Sequence, residues 1–466
     1  MSIIHIDGPG LSLNEVAKVT DGELFFSNLS TIKNISLDSR EIEEGTLFIA
    51  IKGERFDGHD YIGRAFDDGA ACILAERIPY KVKGNVILVD STLDALGALA
   101  NEHRKMVSPI TVAVTGSVGK TTTKEFIYAV LSQKFNAHKT VGNFNNEIGL
   151  PVSILRMKCD NDLLVLEMGM SRPGEIEHLS KIAEPDIAVI TNIGTSHIEN
   201  LGSREAIRDA KMEITAGMNT NGVLVLNGDE PLLAGIKDAV YVANDNKDSD
   251  YYSENIRENE SSTVFDIVIK KTGEICRDVT VPIVGRHNVM NGMYAFAAGK
   301  LCGMEDDEIK SGLLRFENTG MRQNIYQKNG ITVIEDCYNA SAESMNAALK
   351  VLKDTAGRKS SRSIAVLGEM RELGSYSSKL HYEVGKTVAE LGIDLLFTFG
   401  KEAAEIAKGA KENGMLGGNI FMTNDLSNVE SIGEKLMIEL REGDAVLFKA
   451  SRAVAMERVI EYMKLK

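Results

Sequence analysis

The chain has 466 residues, of which 43% are hydrophobic and 26% are charged, and its formal net charge is −15. This length exceeds what one hydrophobic core supports and indicates about three domains. The acidic balance disfavours nonspecific nucleic-acid binding, which requires a basic surface. The sequence contains no apolar run of about 18 residues, so we expect no membrane span.

The cysteines and the N-terminal residues indicate a reducing compartment. Cys72, Cys159, Cys276, Cys302 and Cys337 are odd in number and scattered, and they form no C-x-x-C pair. This pattern disfavours both a disulfide framework and a zinc site. The opening "MSIIHIDGPGLSLNEV" lacks the basic and then apolar layout of a signal peptide. We therefore expect a cytoplasmic protein.

Three segments follow one another along the chain. Residues 1–92 mix short strands with turns. Residues 93–318 begin with the helical run "TLDALGALANEHRKM" and then alternate strands and helices. From residue 319 onward the strand-like runs "ITVIED", "SIAVLGEM", "LLFTFG" and "DAVLFKAS" alternate with helical runs such as "SAESMNAALKVLKD". This alternation predicts an α/β protein with mostly parallel sheets. The polar stretch "NDNKDSDYYSENIRENESS" is predicted to be a surface excursion.

The segment "TVAVTGSVGKTTTKEF" has the order of elements that binds phosphate. Residues 111–114 form a short apolar run typical of a buried parallel strand. Residues 121–134 carry apolar side chains at helical spacing. Between the strand and the helix, Gly116 and Gly119 allow backbone N–H groups to converge on an anion at the helix N-terminus.

This loop is shorter than the G-x-x-x-x-G-K-[ST] pattern, because Val114 stands where the first glycine would be. Lys120 is placed to reach the terminal phosphates of a nucleoside triphosphate, and the hydroxyl of Thr121 to hold Mg²⁺. The alternative is an ordinary strand–turn–helix with a surface lysine. The G-K-T sequence in this context favours nucleotide binding.

Three further segments carry candidates for a metal or phosphate site. Glu167 ends the apolar strand "LLVLEMGM", and a carboxylate there suits Mg²⁺. His197 follows the strand "DIAVIT", at a strand end where ligands bind in open α/β sheets. The helical run "REAIRDAKMEI" carries Lys211 and Glu213. The alternatives are a solvated acid, a structural histidine and a solvated lysine.

Two polar segments are predicted to contact a ligand. The loop "TVGNFNNEIGLP" concentrates more hydrogen-bonding side chains than a turn needs, namely Thr140, Asn143, Asn145 and Asn146. The run "GRHNVMNGMYAFAAG" places polar side chains just before a helix of small residues, namely His287, Asn288 and Asn291. Asparagine can read the edge of adenine, and helix capping is the alternative role.

Eight motifs resemble, in order, those of the Mur ligases of peptidoglycan synthesis. They are "TGSVGKTTT", "GNFNNEIGLP", "EMGMSRPGEIEHL", "TNIGTSHIENLGS", "AKMEI", "GRHNVMN", "DCYNASAESM" and "KASRAVAMERV". The N-terminal "DSREIEEGTLFIAIKGERFDGHD" extends the resemblance over essentially the whole chain. The loop of this family is itself the shorter T-G-x-x-G-K-[ST] form, so the resemblance accounts for Val114.

The resemblance implies an architecture and a reaction. It implies a UDP-MurNAc-binding domain at residues 1–92, a central ATP-binding ligase domain at 93–318 and a C-terminal Rossmann-like domain at 319–466. ATP would phosphorylate a carboxylate, and an amine would attack the acyl phosphate and release phosphate. The D-x-Y-N-A and "GEMRELG" motifs favour the member that joins D-Ala-D-Ala to UDP-MurNAc-tripeptide, whose third residue is diaminopimelate or lysine. The family precedent implies a monomer, with no nucleic-acid partner.

The resemblance also implies a set of site residues. Catalytic roles would fall to Lys120, Lys211, His197 and Glu167. ATP would be bound by Thr115, Gly116, Ser117, Val118, Gly119, Lys120, Thr121 and Thr122, with Asn288 at adenine, Arg322 at the γ-phosphate and Asp336 at ribose. Magnesium would be held by Thr121, Glu167, His197 and a carbamoylated Lys211. The nucleotide-sugar peptide and the dipeptide would be contacted by Ser39, Arg40, Thr140, Asn143, Asn145, Asn146, Tyr338, Asn339 and Ser344.

The sequence departs from the family pattern at three places. The usual Y-N-A-N-P-x-S is replaced by residues 338–344, "YNASAES", which changes the turn near the expected dipeptide contacts. Met212 and Ala450 stand where glycine is common. The remaining alternatives are a sister Mur ligase, a ligase of the folylpolyglutamate synthetase type, and an ATPase switch that makes no bond. The additional domains count against the switch.

Overall fold

The computed structural model describes residues 3–8, 10–26, 31–53, 55–78, 84–426 and 428–465. The chain divides into two compact units, of which the first comprises residues 1–115, 134–189 and 212–224. The second comprises residues 116–133, 190–211 and 225–466. The domain boundaries expected near residues 92 and 318 remain predictions.

Helices and strands alternate along most of the chain, as the sequence predicts. The helices are α1 (Leu13–Val19), α2 (Ile62–Asp67), α3 (Thr92–Val107), α4 (Lys120–Leu131), α5 (Gly149–Leu155), α6 (Glu175–Ala183), α7 (Ile198–Leu201), α8 (Arg204–Met212), α9 (Arg286–Leu301), α10 (Asp306–Leu314), α11 (Ala342–Arg358), α12 (Ser377–Glu390), α13 (Ala404–Glu412), α14 (Val429–Glu439) and α15 (Glu457–Tyr462). Within the described ranges, no helix combines the length and the apolar character that crossing a bilayer requires.

The strands of the first half are β1 (Ile4–His5), β2 (Leu11–Ser12), β3 (Glu23–Phe25), β4 (Thr31–Ile32), β5 (Asn34–Ser36), β6 (Thr46–Ile49), β7 (Cys72–Ala75), β8 (Asn85–Leu88), β9 (Ile110–Thr115), β10 (Ala137–Lys139), β11 (Leu163–Glu167), β12 (Ile187–Ile190), β13 (Val223–Asn227) and β14 (Ala239–Ala243). The remaining strands are β15 (Tyr251–Glu258), β16 (Thr263–Ile269), β17 (Glu274–Val281), β18 (Asn324–Lys328), β19 (Ile331–Glu335), β20 (Ser363–Gly368), β21 (Leu395–Phe399), β22 (Ile420–Thr423) and β23 (Ala445–Lys449).

In the first unit, the N-terminal strands form a six-stranded sheet in the order β1-β5-β6-β7-β8-β3. Strands β5 to β8 are parallel, and β1 and β3 pair antiparallel at the two edges. Every residue of β6 and β7 is buried, which is typical of inner strands of a sheet covered on both faces. Phe48, Ile62 and Ile73 belong to the core beneath this sheet.

The first unit also contains the parallel strands β10, β11 and β9, in that order. Each is a short apolar run, and β11 is buried throughout. The register pairs Glu167, the last residue of β11, with Val114 of β9. The predicted acid at the strand end therefore lies beside the strand that leads into the glycine-containing loop, because parallel strands end at the same edge of a sheet.

In the second unit, β15, β16 and β17 form an antiparallel meander, and β14 pairs parallel with β15. The prediction that residues 244–262 are a surface excursion is wrong for β15, which lies within that stretch. Ser253 of β15 is buried, whereas Asn255 and Arg257 are exposed, and the pairing of β15 with β16 is irregular between Glu254 and Arg257. An antiparallel strand with one solvated face can be this polar.

The C-terminal strands of the second unit form a six-stranded sheet in the order β18-β19-β23-β20-β21-β22. All neighbours are parallel except β18, which pairs antiparallel with β19 at the edge. The four strand-like runs predicted after residue 319 are confirmed as β19, β20, β21 and β23. Their carboxyl ends meet at one edge, so the residues that follow them are brought together.

Three helix boundaries differ from the sequence predictions. Helix α4 runs from Lys120 to Leu131, where residues 121–134 were predicted. Helix α9 begins at Arg286, so His287, Asn288 and Asn291 lie in its first two turns and do not precede it. Helix α8 ends at Met212, and Glu213 begins a short 3-10 turn. Helix ends are set by local hydrogen bonding, which apolar spacing alone does not locate.

Helices α12 and α13 pack so closely that each has a glycine at the contact. A Cβ atom on Gly385 would lie 2.0 Å from the carbonyl oxygen of Ile406, and one on Gly409 would lie 2.2 Å from that of Tyr382. At Gly357 of α11, by contrast, no atom of the described residues lies within 4 Å of such a Cβ.

We expect Gly385→Ala to destabilise the protein by about 1–3 kcal/mol, because the added methyl group must push the two helices apart. Gly357→Ala is the control, and it should leave stability unchanged or raise it by up to about 1 kcal/mol, because alanine favours a helix more than glycine does. Thermal unfolding followed by circular dichroism measures both variants. Equal midpoints for the two would contradict the close packing.

Candidate functional site

The loop between β9 and α4 has the backbone conformation that its glycines allow. Gly116 has a φ of +149° and Gly119 a φ of +85°, values that residues with a Cβ rarely adopt. A Cβ on Gly116 would lie 1.9 Å from Oγ1 of Thr191. The loop leads directly into Lys120, the first residue of α4. The predicted strand, glycine turn and helix are therefore confirmed.

A second loop, which follows β12, holds this turn in place. The Oδ1 atom of Asn192 accepts hydrogen bonds from the backbone N–H groups of Ser117 (3.1 Å) and Val118 (2.9 Å). The hydroxyl of Thr191 donates to the carbonyl of Val118 (2.6 Å), and the N–H of Gly194 donates to the hydroxyl of Ser117 (2.8 Å). Sequence reasoning missed Thr191 and Asn192, although the polar pair at the end of an apolar strand was a signal for them.

Two lysines lie near each other at this turn. The Nζ atom of Lys120 donates to the carbonyl of Gly116 (2.7 Å). Lys211 is only 1% exposed, on the buried face of α8 together with Ile207 and Ala210. Burial lowers the pKa of the Lys211 amine well below its ordinary value, and the positive charge of Lys120 lowers it further. The alternative of a solvated Lys211 is therefore wrong.

In the first unit, Glu167 is buried, with 2% of its surface exposed. Its Oε1 atom accepts a hydrogen bond from Nδ2 of Asn145 (2.8 Å), and its N–H donates to the hydroxyl of Thr140 (3.2 Å). Two residues of the predicted polar loop thus surround it, and the solvated-acid alternative is wrong. Asn146 instead accepts from the N–H of Gly149 at the start of α5 (2.9 Å), and Asn143 is exposed.

His197 precedes α7 with a φ of +64°. Its Nδ1 atom contacts the carboxylate of Glu372, which follows β20. The contact with His197, assisted by the charge of Lys120, holds the pKa of the Glu372 carboxyl below its ordinary value. Sequence reasoning did not single out Glu372, although it lies in the "GEMRELG" motif.

The polar residues of α9 form a buried network. The Nδ2 atom of Asn288 donates to the carbonyl of Val284 (2.8 Å) and to Oε1 of Gln323 (3.0 Å). Its Oδ1 accepts from Asn291 (2.9 Å), which in turn accepts from the hydroxyl of Thr123 on α4 (3.0 Å). Asn288 therefore connects α9 to the segment before β18, and Asn291 connects α9 to the helix of the glycine loop.

Arg322, Asp336 and Tyr338 are brought together near the ends of β19 and β23. The guanidinium of Arg322 lies over the ring of Tyr338, 4.0 Å from its centroid. The carboxylate of Asp336 accepts from Nζ of Lys449 (2.7 Å) and from the N–H of Gln323 (3.2 Å). Lys449 also donates to the carbonyl of Asn339 (3.1 Å) and was missed by sequence reasoning.

The altered "YNASAES" segment forms the cap of α11. The Oγ atom of Ser341 accepts from the N–H of Ser344 (3.4 Å), and the Oγ of Ser344 accepts from the N–H of Ser341 (2.9 Å). This reciprocal pair is a capping box, which stabilises a helix start. Ser344, expected to contact substrate, is thus used in the cap of the helix.

The expected uridine-side residues lie in the first unit. Ser39 is buried and Arg40 is exposed. The guanidinium of Arg40 donates twice to the carboxylate of Asp38 (2.6 and 2.9 Å), and this contact lowers the pKa of the Asp38 carboxyl to about 2. The pair fixes the direction of the Arg40 side chain.

Among the described residues, no group of three or more His, Cys, Asp and Glu side chains is arranged to hold a metal ion. Of the predicted metal ligands, the Thr121 hydroxyl in the second unit and the Glu167 carboxylate in the first unit are oxygen donors, the kind that a hard cation prefers, and both residues are buried.

Comparison with known proteins identifies the family. Three domain descriptions match: Mur ligase family, catalytic domain, at residues 31–104; Mur ligase middle domain, at 114–299; and Mur ligase, glutamate ligase domain, at 321–452. The UDP-N-acetylmuramoyl-tripeptide–D-alanyl-D-alanine ligase of Bacillus subtilis is 40% identical over 437 residues, 93% of either chain. The chain belongs to the Mur ligase family.

Solved structures of Mur ligases are also similar. The crystal structure of MurF from Acinetobacter baumannii aligns over 98% of this chain and 99% of its own, with a TM-score of 0.89 and 29% identity. MurF from Thermotoga maritima in complex with ADP aligns over 92% and 97%, with a TM-score of 0.82 and 34% identity. The predicted Mur ligase resemblance and its α/β class are confirmed.

We expect Asn192→Ala to weaken ATP binding roughly 10-fold, because the N–H of Val118 loses its acceptor and the N–H of Ser117 keeps only the backbone carbonyl of Asn192. Asn259→Ala is a matched control, since the Asn259 side chain bonds Ser262 in an exposed turn (3.2 Å). Isothermal titration with ATP and Mg²⁺ measures both dissociation constants. Unchanged affinity in Asn192→Ala would show that Asn192 does not hold the loop.

Proposed function

We propose that this Mur ligase joins D-alanyl-D-alanine to UDP-N-acetylmuramoyl-tripeptide with the hydrolysis of ATP, in the synthesis of peptidoglycan precursors. The observation that carries the proposal is the 40% identity, over 93% of both chains, with the Bacillus subtilis ligase of that name. The glycine loop before α4 supports it, because this reaction needs a nucleoside triphosphate held by its phosphates.

The reaction proceeds through an acyl phosphate because a carboxylate is a poor electrophile. The terminal carboxylate of the tripeptide attacks the γ-phosphorus of ATP, and ADP leaves. The amine of D-Ala-D-Ala then attacks the acyl carbon, and phosphate leaves as the amide forms. Lys120 offsets the repulsion between the anionic carboxylate and the phosphates, which is the main electrostatic obstacle.

Magnesium is the proposed metal, with ligands from Thr121, Glu167, His197 and a carbamoylated Lys211. When bound, Mg²⁺ neutralises charge on the phosphate oxygens. The burial of Lys211 beside Lys120 fits the modification, because a second ammonium there would be repelled and poorly solvated. A neutral amine can add CO₂ and lose a proton, which replaces the cation by an anionic oxygen ligand suited to a hard metal.

The other proposed ligand contacts follow the sequence expectations. Residues 115–122 bind the ATP phosphates, Asn288 lies towards adenine, Arg322 towards the γ-phosphate and Asp336 towards ribose. Arg322 and Asp336 both lie near the carboxyl ends of β19 and β23, which supports the proposal that both contact ATP. The UDP-sugar peptide and the dipeptide are proposed to contact Ser39, Arg40, Thr140, Asn143, Asn145, Asn146, Tyr338, Asn339 and Ser344.

The proposed organisation has three functional domains, at residues 1–92, 93–318 and 319–466. The three family matches fall into these ranges in the same order, apart from the end of the first match at residue 104, and this order supports them. We infer a cytoplasmic monomer, because ATP and UDP-linked precursors are cytoplasmic metabolites and the family precedent is monomeric. A sister Mur ligase, a folylpolyglutamate synthetase-type ligase and an ATPase switch are the alternatives.

Repeated turnover of ATP should require both UDP-MurNAc-tripeptide and D-Ala-D-Ala, with one amide formed for each ADP, because the acyl phosphate formed in the first step is consumed only by the amine. Coupled ADP measurement and mass spectrometry of the product test this. Tripeptides ending in diaminopimelate and in lysine are compared in parallel. Turnover with glutamate and a folate would favour a folylpolyglutamate synthetase. Hydrolysis of ATP in the absence of both other substrates would favour a switch.

Lys211→Ala should lose ligation, and Lys211→Arg should lose it as well, because a guanidinium cannot form the carbamate and keeps its charge. Acetate should restore part of the activity of Lys211→Ala by filling the vacated ligand position. Lys181→Ala, at an exposed lysine that pairs with Glu177 on α6, is the control and should be fully active.

A readout independent of activity is the carbamate itself. Wild-type protein equilibrated with ¹³C-bicarbonate should show one carbamate carbon signal by NMR, which Lys211→Ala lacks and Lys181→Ala retains. Full activity of Lys211→Arg in buffer free of CO₂ would refute the carbamate.

A further inference from the structure

The loop after β12, which holds the phosphate turn (residues 116–119), is itself bound by the carboxylate of Glu343 in the first turn of α11. The N–H of Thr195 donates to Oε1 of Glu343 (2.8 Å), and the hydroxyl of Thr195 donates to Oε2 (3.2 Å). A Cβ on the neighbouring Gly194 would lie 2.9 Å from Cδ of Glu343. The loop thus has a glycine where the carboxylate approaches and two donors directed at its oxygens.

The same short loop contacts the phosphate turn on its other side. The N–H of Gly194 donates to the hydroxyl of Ser117 (2.8 Å), and the hydroxyl of Ser196 donates to the carbonyl of Ser117 (3.4 Å). Gly194, Thr195 and Ser196 therefore connect Glu343 to Ser117 through consecutive residues. Because the backbone of residues 194–196 joins the two sets of hydrogen bonds, a displacement of Glu343 would disturb the contacts of the loop with Ser117.

The start of α11 places Glu343 for this contact. The capping box of Ser341 and Ser344 fixes the first turn of α11, and Glu343 lies in that turn. A carboxylate in the first turn is also stabilised by the partial positive charge of the helix N-terminus. The half-buried Glu343 is therefore held in place by the segment in which this sequence departs from the family pattern.

Two further hydrogen bonds join residues 199–202, which follow this loop, to residues 372–376, which follow β20. The hydroxyl of Tyr376 donates to the carbonyl of Gly202 (2.9 Å), and the N–H of Glu199 donates to the carbonyl of Glu372 (3.3 Å). Thr195 is the residue of the loop at 194–196 that binds a carboxylate, through both its N–H and its hydroxyl.

We propose that Glu343 is a positioning residue that couples ATP consumption to amide formation, by binding Thr195 and thereby holding the loop of residues 194–196 against the phosphate turn. The inference rests on the proposed ligase function. With the loop held, water is kept from the acyl phosphate until the amine attacks. With the loop released, water adds to the acyl carbon, phosphate leaves, and the carboxylate is regenerated, so that ATP is hydrolysed without an amide.

The test compares phosphate released with amide formed in wild type, Glu343→Ala, Glu343→Gln, Glu343→Asp and Thr195→Val, with D-Ala-D-Ala and UDP-MurNAc-tripeptide present. We expect a ratio near one in wild type, a clear excess of phosphate in Glu343→Ala, and a smaller excess in Glu343→Gln, whose amide oxygen can still accept from the Thr195 N–H but carries no charge. The turnover number for amide formation should fall about tenfold or more, the scale of losing hydrogen bonds to a charged group. Glu343→Asp, which keeps the charge, should restore part of the coupling.

Two further readouts separate positioning from general damage. The affinity for ATP should change less than the coupling ratio, since Glu343 does not touch the phosphate turn directly. Glu390→Gln is the matched control, because Glu390 is an exposed carboxylate on α12 that pairs with Lys386, and it should keep wild-type coupling. The double variant Thr195→Val with Glu343→Ala should be no less coupled than Glu343→Ala alone.

The outcomes are distinguishable. A ratio that stays near one in Glu343→Ala and Glu343→Gln overturns the coupling role while leaving the ligase function intact. A wild-type protein that forms no amide overturns the ligase function itself. If Glu343→Ala does not unfold cooperatively, and therefore is not properly folded, Glu343→Gln and Thr195→Val test the proposal instead. A ratio of phosphate to amide that is unchanged in both variants overturns the inference.

Discussion

The hydrogen bonds from Ser117 and Val118 to the side chain of Asn192 are the constraint on which the site depends. A short loop with two glycines has many accessible conformations, and fixing it costs conformational entropy. Asn192, supplied by the loop after a neighbouring strand, selects one of them. The direction in which Lys120 and the first turn of α4 point is a consequence of that selection.

Electrostatics add a second constraint. The amine of Lys211 is buried on the inner face of α8, within the influence of Lys120. An amine in that position is driven towards its neutral form, because burial and like charge both disfavour the cation. Burial disfavours an anion as well, but the positive charge of Lys120 favours one, whether it is a carbamate on Lys211 or the oxygens of a phosphate.

The C-terminal sheet contributes groups to the site through its parallel strands. Because β19, β20 and β23 end at one edge, Asp336, Glu372 and Lys449 emerge near each other from distant parts of the chain. The capping box at Ser341 and Ser344 substitutes for the usual Asn-Pro turn and starts α11 where Glu343 can reach Thr195. The first turn of α11 is thus both capped by these serines and in contact with the loop after β12.

The sequence by itself determined the strands β9, β11 and β12, the glycine turn before α4, the α/β class and the resemblance to the Mur ligases. These features depend on apolar periodicity and on residues that are adjacent in the chain. Only the tertiary structure decided that Lys211 is buried, that β15 is a strand, that Asn192 holds the turn and that Glu343 binds Thr195. Ser117 and Asn192 are 75 positions apart, and Thr195 and Glu343 are 148 apart. Such pairs form only when packing brings distant segments together, so the pattern of neighbouring residues in the sequence does not predict them.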